Sequence, residues 1–167
     1  MVAERLASKG AVTIELSDLA HRTGAVVGRD EERLSDEVDL DLLSQGVAQA
    51  LADVPEGVDV ILVGHLAHWV QCDQVVVLRT SPGVLKERLH DRGWPEAKVA
   101  ENVEAEAVGV ILVESTEIEP PVPVWEIDTT SDPLGVTVDL FSEAVSGANA
   151  ALEAGWVDWS EEVMGWF

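Results

Sequence analysis

The sequence predicts an α/β protein, a parallel sheet with helices on both faces. Three observations lead there. Four short apolar, β-branched runs recur along the chain, helical stretches lie between them, and an apolar content of 47% comes with only 5% aromatics. The core is therefore built from Val, Leu, Ile and Ala rather than from stacked rings. At 167 residues, the chain suits one domain spanning residues 1–167, because two separate cores would each bury too little apolar surface.

The four runs are residues 11–16, 58–63, 74–79 and 122–127. Each is nearly continuous in apolar character instead of alternating, as expected of parallel strands buried on both faces. Between the first two, residues 36–53 predict a helix with Leu40, Leu43, Val47, Ala50 and Leu51 on one stripe. After the third run, residues 82–92 predict a helix with Ser81 as N-cap, Pro82 at its first position and Gly93 as its stop. Residues 95–117 predict a longer helix, which the prolines at 120, 121 and 123 end before the fourth strand. Residues 128–133 read as a polar loop and 134–152 as a closing helix that contains Gly135 and Gly147. The tail holds Trp156, Trp159, Trp166 and Phe167, aromatics that more often dock on a domain than bind a ligand. No internal repeat, low-complexity tract or long linker interrupts this order.

Acidic residues number 32 against 10 basic ones, a formal net charge of -22 spread along the whole chain. Such a surface repels a nucleic-acid backbone, which excludes general nucleic-acid binding. It suits molar intracellular salt: at about 1 M the screening length falls to roughly 3 Å, so dense like charges repel little. Cys72 is the single cysteine, so no internal disulfide forms and a reducing cytoplasm is the expected location. Neither a signal core nor an uninterrupted apolar stretch of membrane-spanning length is found, so no membrane partner is expected.

Ligands of open parallel sheets bind beyond the carboxyl ends of the strands, which directs attention to Val63, Gly64, His65, Leu66, Ala67 and His68. His65 in that turn orients a water or a phosphate, or else bonds a neighbouring loop; the residues leave both readings open. His65 and His68 would share a face of a helical turn, but a metal site needs a third ligand and none is near, so no metal site is expected. Arg92, at the end of the helix over residues 82–92, suits phosphoryl transfer if a mobile segment delivers its planar guanidinium to the transferred oxygens. It equally suits a surface arginine favoured by the helix macrodipole. Arg79 and Arg88 are expected to pair with internal carboxylates.

The stretch VVVLRTSPGVLKERLHDRGWPEAKVAENVEAE, residues 75–106, closely resembles the archaeal and eukaryotic adenylate kinase isoenzyme six family, also described as coilin-interacting nuclear ATPases. Leu85, Arg88, Leu89, Arg92, Gly93 and Trp94 carry its LxxRLxxRGW-type segment. SDLAHRTG at residues 17–24, followed by the acids at 30–32, resembles the family's monophosphate-side segment, and GHLAH its third-strand motif. The likeness covers roughly residues 2–130.

The resemblance implies a phosphate-loop kinase-like fold, reversible transfer of a phosphoryl group from ATP to AMP with Mg2+, ATPase activity and a role in maturation of the small ribosomal subunit. It implies a lid at about residues 91–101 carrying Arg92, and a monophosphate-binding segment at about residues 15–38 that includes Asp18 and Arg22. His65 would be its catalytic residue, and a small-subunit ribosomal protein a partner.

Two departures accompany the likeness. The family's first strand runs into G-x-x-G-x-G-K-[ST]-T, whose amides and lysine hold phosphates, whereas this chain opens on MVAERLASKG, with Met1 where that loop's last threonine would stand. The sheet order of small phosphate-loop kinases is 2-3-1-4-5, so the expectation is a fold lacking its first, central strand and phosphate-binding loop. Either the start is assigned too far downstream or the protein is loop-less. Val63 stands where the family tends to have a carboxylate that positions metal or water, which counts against hydrolysis. Two other functions stay open: a non-catalytic ribosome-assembly protein on the same scaffold, and another small kinase acting on a sugar or shikimate.

Overall fold

A computed structural model describes residues 2–31, 35–131 and 134–166. The readings placed on Met1, Glu32, Pro133 and Phe167 lie outside the described residues. The chain divides into two compact units, Met1–Cys72 and Asp73–Phe167.

In the first unit the order is α1 (Val2–Ser8), β1 (Val12–Glu15), α2 (Leu16–Thr23), β2 (Val26–Asp30), β3 (Ser35–Val38), α3 (Leu40–Ala52) and β4 (Val60–Val63), then a 3-10 turn at Ala67–Trp69. β1 and β4 pair in parallel, with Val12 opposite Val60 and Glu15 opposite Val63. Apolar side chains from β1, α2 and α3 close one core, with Ile14, Leu16, Leu19, Leu43 and Val47 buried in it. α2 and α3 approach closely at Gly46, where a Cβ would come within 2.8 Å of the Thr23 methyl. Gly24, at φ +74°, ends α2 in the left-handed conformation that glycine adopts without steric cost.

β2 and β3 form an antiparallel ribbon that the sequence reading missed, fastened by Arg29 Nη1 donating to Asp36 Oδ1 at 3.2 Å. The ribbon also corrects the helix read over residues 36–53. Because residues 35–38 are strand, α3 starts at Leu40, and Asp39 caps it by accepting from the amides of Asp41 and Leu42 at 3.0 Å each.

The second unit runs β5 (Val75–Arg79), α4 (Pro82–Asp91), α5 (Glu96–Ala107), α6 (Val110–Thr116), β6 (Val124–Asp128), α7 (Leu134–Val145) and α8 (Ser160–Met164), with a 3-10 turn at Ala150–Leu152. β5 and β6 pair in parallel from Val75 opposite Val124 to Arg79 opposite Asp128. The pairings β1 with β4 and β5 with β6 are the second–third and fourth–fifth neighbours of the expected 2-3-1-4-5 order. Burial on both faces holds best for β6, whose Trp125, Glu126 and Ile127 are buried; β4 is partly buried throughout.

Leu89 of α4 packs with Val99 and Val103 of α5, making these helices a hairpin. Gly93, at φ +75°, turns the chain between them: its amide bonds the His90 carbonyl and that of Trp94 bonds Leu89, a Schellman motif. Three readings need correction here. Ser81 makes no side-chain cap bond; the Gly83 amide is met instead by Glu162 Oε1 at 2.6 Å. The helix read over residues 95–117 is two helices, broken where Gly109 takes φ +66°. The closing helix stops at Val145, because Gly147 adopts φ +66° in the same Schellman pattern.

Candidate functional site

At the carboxyl end of the first strand pair, β1 delivers Glu15 to the start of α2, and β4 delivers Gly64 and His65 to a turn. The turn is closed by the Ala67 amide on the Gly64 carbonyl at 3.2 Å, with Gly64 at φ +147° lying 3.4 Å from the Leu16 Cβ by its virtual Cβ. His65 is exposed, whereas His68 is buried and tilted against Trp69 with ring centroids 5.0 Å apart. The two histidines therefore have different environments. Asp18 and Arg22 are both exposed on α2, four residues apart and so on one face. Glu15, opposite Val63, places a carboxylate at this strand end that sequence reasoning had given no role.

The corresponding end of the second strand pair is a closed polar network. Arg88 Nη1 donates to Thr80 Oγ1 at 3.2 Å, and its Nη2 donates to the carbonyls of Thr129 and Thr130 at 2.9 and 3.1 Å. A guanidinium only donates, so the proton directions follow: Thr80 accepts from Arg88 and donates to Thr129 Oγ1 at 2.7 Å, and Thr129 donates to the Arg79 carbonyl at 2.8 Å. Thr130 Oγ1 donates to Asp128 Oδ1 and accepts from the Ser81 amide. Arg88 thus bonds hydroxyl and carbonyl oxygens rather than the internal carboxylate expected of it. The TS after β5 and the DTT after β6, hydroxyl pairs at two strand ends, were the signal for this cluster.

Arg79 does pair with carboxylates. Its Nε donates to Glu106 Oε1 at 2.7 Å and its Nη1 to Glu126 Oε1 at 2.5 Å, with Arg79 and Glu126 almost wholly buried. The other Glu126 oxygen accepts the amides of Gly155, Trp156 and Val157 at 2.9, 3.1 and 3.2 Å, and Trp159 Nε1 donates to Glu106 Oε1 at 3.0 Å. Among the described residues no buried side-chain nitrogen or oxygen lacks a hydrogen-bond partner.

Arg92 caps α4 and is exposed on the turn to α5, a turn braced by His90 Nε2 and Glu96 Oε2 at 2.8 Å. The predicted site residues are thus all solvent-accessible: Asp18, Arg22 and His65 in the first unit, Arg92 in the second. Among the described residues no three His, Cys, Asp or Glu side chains cluster as metal ligands. No described helix is long and apolar enough to cross a membrane.

Parallel strand pairs with helices, and polar residues gathered at their carboxyl ends, define an α/β protein of the phosphate-loop kinase-like class. In agreement, residues 1–109 match the family model described as an AAA domain. The chain is 41% identical over 90% of its length to a protein of Natronomonas pharaonis named "Putative adenylate kinase", covering 84% of that protein. It is 37% identical over 96% of its length to a protein of the same name from Methanothermobacter thermautotrophicus, covering 90% of it, and 42% identical over 78% to one from Thermococcus onnurineus, covering 70%. The chain belongs to this archaeal adenylate-kinase-like family.

Proposed function

We propose that this protein is a nucleoside monophosphate kinase of the isoenzyme six, coilin-interacting type, transferring a phosphoryl group from ATP to AMP with accompanying ATPase activity. The observation that carries the reading is Arg92, exposed at the head of a helical hairpin whose turn is made by Gly93. A fork of donors held on such a turn can engage the oxygens of the transferred group and neutralise the charge that develops on them. Residues 91–101 act as the lid and residues 15–38 as the monophosphate segment, with Arg22 donating to the AMP phosphate and Asp18 beside it on α2. His65 orients the attacking or leaving oxygen from the turn after β4. Residues 1–167 are read as a single adenylate-kinase-like domain.

The residues present do not build a Mg2+ cage, since no three carboxylates or imidazoles cluster among those described. Mg2+ is commonly held through substrate phosphates and waters, so the ion would accompany ATP. A small-subunit ribosomal protein as partner, and a cytoplasmic location, belong to the same reading. So does a life in concentrated salt: with a net charge of -22, the melting temperature is expected to rise from dilute to molar KCl, and a flat response would remove that part.

Incubating the protein, in its full genomic length, with ATP and a panel of acceptors tests the central claim. AMP turnover is expected; turnover of a sugar or shikimate instead would redirect it. Arg92→Ala is expected to lower kcat by about 1,000-fold, the scale of a lost transition-state arginine. A second reading, a non-catalytic ribosome-assembly protein, is favoured by Val63 at the place of the family's carboxylate. No turnover of any acceptor, together with retention on precursor small subunits, would support it.

A further inference from the structure

The segment after the last 3-10 turn, residues 155–166, is tied at one end to β6 and at the other to the α4–α5 hairpin. The β6 fastening is the three amides on Glu126 Oε2, with Trp156 Nε1 donating to the Glu126 carbonyl at 3.1 Å. On the hairpin, Trp159 Nε1 meets Glu106 on α5, and the Trp159 ring lies 5.9 Å beneath the Arg79 guanidinium that also bonds Glu106. Glu162 meets the Gly83 amide in the first turn of α4. Trp166 walls a groove of about 250 Å3 between the two helices, beside Pro82, Lys86, Val99 and Val103. One strap thus touches both legs of the hairpin at its base, while Arg92 sits at its head.

We propose that this strap is a positioning element: by fastening Glu106 and Gly83 it fixes the base of the α4–α5 hairpin, and so the presentation of Arg92. The functional half rests on the phosphotransfer reading above; the mechanical half does not. Glu106 is the positioning residue, because it takes bonds from Arg79, the Thr80 amide and Trp159 at once and is the junction of sheet, hairpin and strap. Glu162 supplies what Ser81 does not, an acceptor for the first turn of α4.

The test compares the full chain with Trp159→Phe, which keeps the ring over Arg79 but removes the donor, with Glu162→Ala and with the double variant. Site-resolved hydrogen exchange is expected to quicken by about tenfold or more through α4 and α5 in the double variant, a change equivalent to 1.4 kcal/mol of opening free energy. Exchange in β5 and β6 should stay as it was, since the Glu126 fastening is untouched. Unchanged exchange in α4 and α5 would overturn the proposal. So would equal acceleration in β5, β6 and the hairpin, because the strap would then be a general staple. In the phosphotransfer assay, kcat is expected to fall several-fold in the double variant while the KM for AMP holds. Unaltered kcat with quickened exchange would overturn the positioning role. If the wild-type chain transfers no phosphate, the kinase reading fails, and exchange alone decides the strap.

Discussion

Met1–Cys72 closes its strand pair with aliphatic side chains, Ile14, Leu16, Leu19, Leu43 and Val47 meeting in one cluster. Asp73–Phe167 closes its own pair differently. Among the described residues its buried apolar clusters are two small, separate groups, Leu89 with Val99 and Val103, and Trp125 with Ala144 and Leu152. Between sheet, helix and tail it places Arg79, Glu106 and Glu126 instead. Apolar contacts are non-directional and tolerate small shifts, whereas a buried guanidinium–carboxylate set is stable only with every donor and acceptor matched. The first unit is therefore expected to respond gradually to mutation and the second abruptly.

Glu126→Gln should break the comparison open most. Glu126 presents one oxygen to Arg79 and the other to three backbone amides, and all of these are donors. Glutamine has one acceptor oxygen, so its NH2 must abut a donor. A loss of about 3 to 5 kcal/mol is expected, the scale for breaking a buried ion pair on one side. In urea denaturation followed by hydrogen exchange, protection should fall in β5 and β6 and persist in β1 and β4.

Leu43→Ala is the converse. It removes a fully buried side chain from the aliphatic cluster and should cost about 3 kcal/mol, with exchange rising in α2 and α3 and not in β5 or β6. Equal responses of both units to either variant would erase the distinction drawn here.

The smallest effect concerns pH. Asp158, exposed ahead of α8, accepts from the Ser160 hydroxyl and amide, which hold its carboxyl below the usual value for aspartate. A folded-state value below the unfolded one contributes stability above the unfolded value, and that contribution is lost as pH falls through the folded one. The start of α8 should therefore loosen only when pH drops below the ordinary aspartate range, about 3.9. A carboxyl resonance titrating at or above that value would contradict the assignment.

How much of this was readable in the sequence depends on the range of the interactions. The four parallel strands were legible because their apolar runs are continuous, and the turn after α4 because Gly93 supplies the left-handed residue a Schellman motif requires. The β2–β3 ribbon was hidden, since VVGRD and SDEV carry little apolar signal and the second reads as a helix start. Gly109 sat inside a plausible helix, and nothing local marks it as a break. Among the proposed site residues, His65 and Arg92 stood out in the sequence because each lies at the end of a recognisable element. Arg88 was misread because its partners are the hydroxyl and carbonyl oxygens of Thr80, Thr129 and Thr130, which carry no charge to mark them as partners of a cation. Glu126, a carboxylate in the apolar run VWEID, announced a buried partner without naming it.

The placement of the indoles has an optical consequence. The chain has six tryptophans and no tyrosine, and all but Trp69 lie in Asp73–Phe167. Ultraviolet emission during denaturation will consequently follow the half organised around Arg79 and stay nearly silent about the aliphatic half. The native indole of that other half is Trp69, on the 3-10 turn after β4, and a variant keeping it while the remaining five are replaced by phenylalanine would give the aliphatic half a voice of its own.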